Sequence, residues 1–143
     1  MTDEERRAIE WDCTRLINRY AALNDQGRWE EVVALYAEDG LMTRPTAPDA
    51  PIVGREALLA AFLSRPPRAS RHIVANIVVS VEDAVSASAF SMILLFTGAL
   101  AEDGSLPVTG PPLVGEYRDR FVLTPDGWRF SERRGALSFR PPS

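Results

Sequence analysis

His72 is the only histidine in the chain, and an imidazole is the side chain best suited to take and return a proton near neutral pH. It lies in the run 70–81, which is crowded with β-branched residues and free of Gly and Pro, a pattern that predicts one long strand. Side chains alternate across a strand. The pattern therefore puts His72, Val74, Asn76, Val78 and Ser80 on one face and Ile73, Ala75, Ile77, Val79 and Val81 on the other. The second face is apolar throughout and must be buried. The first is mostly small or apolar but bears an imidazole and a carboxamide, and it reads as the wall of a ligand cavity. On a later strand Tyr117 and Asp119 share a face with Phe121, while Arg118 and Arg120 take the other, so Tyr117 and Asp119 are candidates to enter the same cavity.

Other chemistries are narrowed by composition. All 16 basic residues are arginine, which removes Schiff-base and lysine-nucleophile chemistry. Cys13 is the single cysteine, so no intrachain disulfide or thiolate cluster is expected, and its place on the apolar side of a helix marks it as core filler. No metal-ligand cluster or phosphate-cradling glycine loop is evident, and no cofactor is expected. The net charge of −4 and the lack of a basic cluster argue against nucleic acid and anionic membranes as partners. The charged N-terminus and the absence of a long apolar run lead to the expectation of a cytoplasmic protein.

The elements that must position these residues follow from periodicity. A capping-box pattern at Thr2–Glu5 precedes Ile9, Cys13, Leu16, Ile17, Tyr20 and Leu23 at helical spacing, predicting a helix over about 3–24. After the break at 24–27, Trp29, Val32, Val33 and Tyr36 predict a second helix ending near Asp39-Gly40, with Asp25 at the elbow. A short strand at 41–44 is expected, then a loop over 45–51, which holds three prolines in seven residues. Gly54-Arg55-Glu56 opens a third helix with an apolar stripe of Leu58, Leu59, Phe62 and Leu63, stopped by Pro66-Pro67. Strands are predicted over 70–81, 84–97, 113–123 and 128–139, with a turn at 124–127 and a loop over 98–112 that either covers an opening or extends an edge. Helices first and long antiparallel strands after them specify an α+β fold, and the 143 residues suit a single domain over 1–143.

Tyr20-Ala21-Ala22-Leu23-Asn24-Asp25-Gln26-Gly27-Arg28-Trp29, then Leu35-Tyr36-Ala37-Glu38-Asp39-Gly40, Gly54-Arg55-Glu56, Arg71-His72 to Asn76 and Asp126-Gly127-Trp128-Arg129-Phe130 together resemble the SnoaL-like branch of the nuclear-transport-factor-2-like (NTF2-like) superfamily, which includes scytalone dehydratase and polyketide cyclases. The resemblance runs from about residue 3 to 135. It implies a cystatin-like conical half-barrel in which three N-terminal helices pack on a strongly bent, mainly antiparallel sheet around a deep pocket. It also implies that Asp25 and His72 match the aspartate and histidine paired in the dehydratase-like members, where a carboxylate orients the imidazole for acid/base work. The chain departs from the dehydratase pattern in having Asn24 where a tyrosine would stand and Asp119 about where a second histidine would lie.

On this reading the chain is a cofactor-free lyase or isomerase acting on a hydrophobic aromatic or polyketide-like ligand. His72 and Asp25 are the catalytic pair, and Tyr20, Asn24, Trp29, Tyr36, Asn76, Tyr117 and Asp119 are candidate ligand contacts. Plainer roles stand beside these. Asp25 suits a helix N-cap, Asn76 suits buried backbone groups, and Tyr20, Trp29 and Tyr36 suit the core. The alternative function is a non-catalytic binding or accessory subunit resembling the small subunit of ring-hydroxylating dioxygenases. If Phe90, Met92, Leu94 and Phe96 form the outward face of their strand, a homodimer is expected, or failing that a trimer.

Overall fold

The computed structural model describes residues 1–141. Helix α1 (Asp3–Asp25) begins in the expected capping box, with the Glu5 backbone N–H donating to Thr2 Oγ1 and the Thr2 N–H donating to the Glu5 carboxylate. Its apolar stripe, Ile9, Cys13, Leu16, Ile17, Tyr20 and Leu23, is buried as the spacing predicts. Each such side chain contributes about 1.5–3 kcal/mol of transfer free energy, so the stripe is what docks the helix on the sheet. Burial also pushes the Cys13 thiol up to about 12, which makes it inert filler.

The expected second helix is shorter than its periodicity implies. Helix α2 covers only Trp29–Val33, and from Tyr36 the chain is strand β1 (Tyr36–Arg44). Tyr36 pairs with Phe130 in parallel register and is fully buried, so sheet pairing overrides the local helical spacing. The expected loop at 45–51 is also corrected: strand β2 (Ala47–Val53) forms there. It is an edge strand paired only with β1, the position in a sheet that tolerates proline. Helix α3 (Arg55–Leu63) buries Leu58 and Phe62 but leaves Leu63 exposed.

Strands β3 (Ala69–Val81), β4 (Ser86–Gly98), β5 (Leu113–Thr124) and β6 (Gly127–Leu137) complete a curved, open, six-stranded sheet in the order β2-β1-β6-β5-β4-β3. All neighbours are antiparallel except β1 and β6. This is the α+β, mainly antiparallel architecture expected from the sequence. Phe90, Met92, Leu94 and Phe96 do form the outer set of β4, alternating with the inward Ala87, Ala89, Ser91 and Ile93. The segment between β4 and β5 folds back through a bridge between Gly98 and Thr109 and holds Leu106 and Val108 in the open. Among the described residues no helix is long and apolar enough to cross a membrane.

The long strand β3 departs from strict alternation. Asn76 has φ 54°, in the left-handed region that Asn tolerates better than most residues, and the pairing with β4 slips between Ala75 and Val78. This is a β-bulge, and it exchanges the two faces halfway along the strand. Val74 packs on the core before the bulge and Ile77, Val79 and Val81 after it, while Ile73, Ala75, Val78 and Ser80 face out. Neither face is the uniform one that alternation predicts.

Candidate functional site

The last turn of α1 and the first half of β3 meet at Asp25 and His72. The Asp25 carboxylate accepts from three donors: His72 Nδ1 at 2.5 Å from Oδ1, the Ser70 hydroxyl at 3.0 Å from Oδ1, and the His72 backbone N–H at 2.8 Å from Oδ2. Both side chains are largely buried, at 8% exposure for His72 and 12% for Asp25. Burial alone would raise the Asp25 pKa, but the hydrogen bonds from the His72 ring and backbone and from Ser70 outweigh it and hold the carboxyl below its ordinary value. An ionised carboxylate only accepts, so Nδ1 carries the proton of the contact, and Nε2 is the ring nitrogen left to exchange a proton with a ligand. Asp25 is not a helix cap. Helix α2 starts at Trp29 after Arg28, which makes no side-chain capping bond.

His72 lines a cavity of about 340 Å³ between α1, the end of β1, the end of α3 and the concave face of β4–β6. That volume sits at the lower end of the ~300–1,000 Å³ typical of small-molecule sites. Tyr20 and Asn24 line it from α1, Met42 and Thr43 from β1, Ile93 and Leu95 from β4, Tyr117 from β5 and Leu137 from β6. Gly135 on β6 lets Pro45, which lines the cavity, pack close to the sheet, because a Cβ there would stand 2.8 Å from Pro45 and would push the β1–β2 turn away. Thr43 locks the same junction, its hydroxyl accepting from the Gly135 N–H at 3.0 Å.

The expected contact residues divide into three groups. Tyr20, Asn24 and Tyr117 reach the cavity beside His72. Tyr36, Trp29 and Asp119 stand one layer behind it. The Tyr36 hydroxyl donates to Tyr20 at 3.1 Å, Tyr20 donates to Met42 Sδ at 3.4 Å, and Trp29 stacks on Phe62 with centroids 5.3 Å apart. Burial holds all three tyrosines above the usual phenol range, Tyr36 most clearly, so they act as neutral phenols. Asn76 is the correction: the bulge turns it to the exposed side of β3, away from the cavity that His72 faces.

Beneath the tyrosines lies a buried ion pair. Arg133 Nε is 3.4 Å from Asp119 Oδ1, both side chains are essentially inaccessible, and the guanidinium lies 3.9 Å from the Tyr117 ring centroid and 4.3 Å from that of Tyr20. Burial pushes the Asp119 carboxyl up to about 6, with Arg133 only partly offsetting it. Burial works against the Arg133 cation too, but Asp119 and the surrounding phenol oxygens hold it charged. Residue alternation places Asp119 on the inner face but cannot foresee Arg133, because a bulge at Ser131 shifts the register of β6 before it. Sequence reasoning also passes over Arg44, Arg65 and Arg68, which line the cavity's outer end.

With this geometry in view, the comparisons with known proteins are specific about family. The SnoaL-like domain matches residues 5–134. A provisionally assigned scytalone dehydratase from Novosphingobium aromaticivorans superposes with a TM-score of 0.82 at 21% identity, covering 96% of this chain and 89% of that one. An NTF2-like protein with a cystatin-like fold from the same organism gives 0.76 at 26% identity, covering 96% and 84%. A type 2 hexachlorocyclohexane dehydrochlorinase, LinA, gives 0.81 at 17% identity, covering 99% and 93%. At the lower of these identities the likeness is one of fold. No curated protein matches by sequence.

Proposed function

The chain belongs to the SnoaL-like domain family, and on that premise we propose that it is a cofactor-free lyase or isomerase of a small hydrophobic molecule, with His72 as general base and acid. The observation that carries this reading is the 2.5 Å contact between an ionised Asp25 and Nδ1 of His72, whose ring lines the cavity. Asp25 holds the tautomer and orientation of the ring and stabilises the imidazolium formed when Nε2 takes a proton. The electron pair left on the substrate carbon then either expels a neighbouring leaving group, to which His72 can return the proton, or is reprotonated at another carbon. The first outcome is an elimination and the second an isomerisation. By name, the scytalone dehydratase and the dehydrochlorinase with the same fold carry out eliminations, which supports the first.

Tyr117 and Tyr20 supply the rest of the site as neutral phenols that can orient an oxygen of the ligand, and Asn24 adds a carboxamide beside Asp25. The protein works as a homodimer in this reading, through the outer face carrying Phe90, Met92, Leu94 and Phe96, which Ile73 and Val78 extend on β3.

The test uses small cyclic aryl ketones in deuterated water, followed by NMR for loss of the proton next to the carbonyl. Exchange above the buffer rate in the wild type, reduced about 100-fold or more in His72→Ala, is the expected result. Exchange unaffected by His72→Ala overturns the proposal.

A further inference from the structure

The outer end of the cavity is formed by three arginines. Arg44 ends β1, and Arg65 and Arg68 bracket the Pro66-Pro67 turn that follows α3. Arg68 and Pro66 are exposed, so this end opens to solvent. No aspartate or glutamate lines the cavity, and none of the three guanidinium groups forms an ion pair among the described residues.

Two of them are held in place without their charge being satisfied. Arg44 Nη2 donates to the Ala61 carbonyl at 3.1 Å, while its Nε is sealed from solvent with no partner among the described residues. The Arg65 guanidinium lies 4.6 Å from the Phe62 ring centroid and 5.8 Å from that of Trp29, and the two rings stack on each other. Stacking occupies the face of a guanidinium and leaves its edge N–H donors free, the geometry that suits bidentate recognition of a carboxylate. Burial, together with the charges of Arg44 and Arg68, holds the Arg65 pKa below its ordinary value, as expected for a cation crowded by like charges. An anion at this end would relieve that repulsion.

We infer that the ligand of this cavity is a carboxylic acid, bound as its carboxylate by Arg44, Arg65 and Arg68, with its apolar body extending inward towards His72 and Tyr117. The inference rests on the reading of this cavity as the reaction site, and it narrows the substrate class from hydrophobic molecules in general to aromatic or alicyclic acids. Trp29 then has a role without touching ligand: its ring and that of Phe62 together hold the Arg65 guanidinium.

The test is calorimetric titration of the full chain with 2-naphthoate and with 2-naphthamide, which has the same ring system and no charge. The carboxylate is expected to bind about tenfold tighter or more, the scale of a charge-assisted hydrogen bond. That preference should weaken as salt is raised and should fall in Arg68→Gln, an exposed position whose change leaves folding intact. Arg65→Met should lower it further. Equal affinity for the two compounds, tighter binding of the amide, or failure of the carboxylate to bind overturns the inference. His72→Ala separates this idea from the acid/base reading: a retained preference for naphthoate with no proton exchange in any variant upholds the carboxylate site and sinks the lyase, whereas His72-dependent exchange with equal affinities does the reverse.

Discussion

Asp25 binds His72 twice, through the ring and through the backbone N–H, so β3 cannot slide against α1 without moving the imidazole. The contact that ties β3 to α1 is the same one the proposed acid/base chemistry uses. Removing it with Asp25→Ala should lower stability by about 1.5–3 kcal/mol, the scale for hydrogen bonds to a charged group, as read from urea denaturation. The pH dependence follows from the depressed folded-state pKa of Asp25. Its stabilising contribution is present above the ordinary carboxylate value and is lost as pH falls through the folded one. The difference between wild type and variant should therefore shrink in acid.

Asp119 runs the other way. Its pKa is raised to about 6 in the folded protein, so the stability linked to it is complete below the ordinary carboxylate value and is lost as pH rises through 6. Asp119→Asn should gain on the wild type as pH goes from acid to neutral, measured by denaturation at both ends. Arg133→Met should cost about 3–5 kcal/mol at neutral pH, because it leaves a buried carboxylate without its partner, and less in acid, where that carboxyl is neutral.

The bulge gives a sharp prediction at Asn76. Asn76→Gly fits the φ of 54° and should leave stability near wild type, whereas Asn76→Val should cost about 1–2 kcal/mol for a left-handed β-branched residue. Neither should change ligand affinity, since the side chain points away from the cavity.

The outer face of β4 bears on assembly. Met92→Glu should shift the protein towards monomer in size-exclusion chromatography with light scattering, with the helical signal in circular dichroism unchanged. An unchanged mass would exclude this face as the dimer surface.

Much of this arrangement is legible in the residues because it rests on local pattern. The capping box and the stripe from Ile9 to Leu23 mark α1, and the outward apolar set of β4 follows from alternation. What could not be read depends on pairing between distant strands. Tyr36 leaves its helix for a parallel partner on β6, the proline-rich segment becomes a strand because β1 offers it an edge, and the face of Asn76 is decided by a bulge opposite Ser91. The arginines of the cavity mouth escaped for a related reason. Arg44, Arg65 and Arg68 are scattered in sequence and are gathered only when the end of α3 closes over β1.

The measurement that tests the central claim most directly is the ring nitrogen spectrum of His72, unambiguous because no other histidine is present. In protein labelled with nitrogen-15, at a pH where the ring is neutral, the account predicts a proton on Nδ1 and a free lone pair on Nε2, with this tautomer lost or mixed in Asp25→Ala. A wild-type ring protonated on Nε2, or a tautomer indifferent to Asp25, would contradict it.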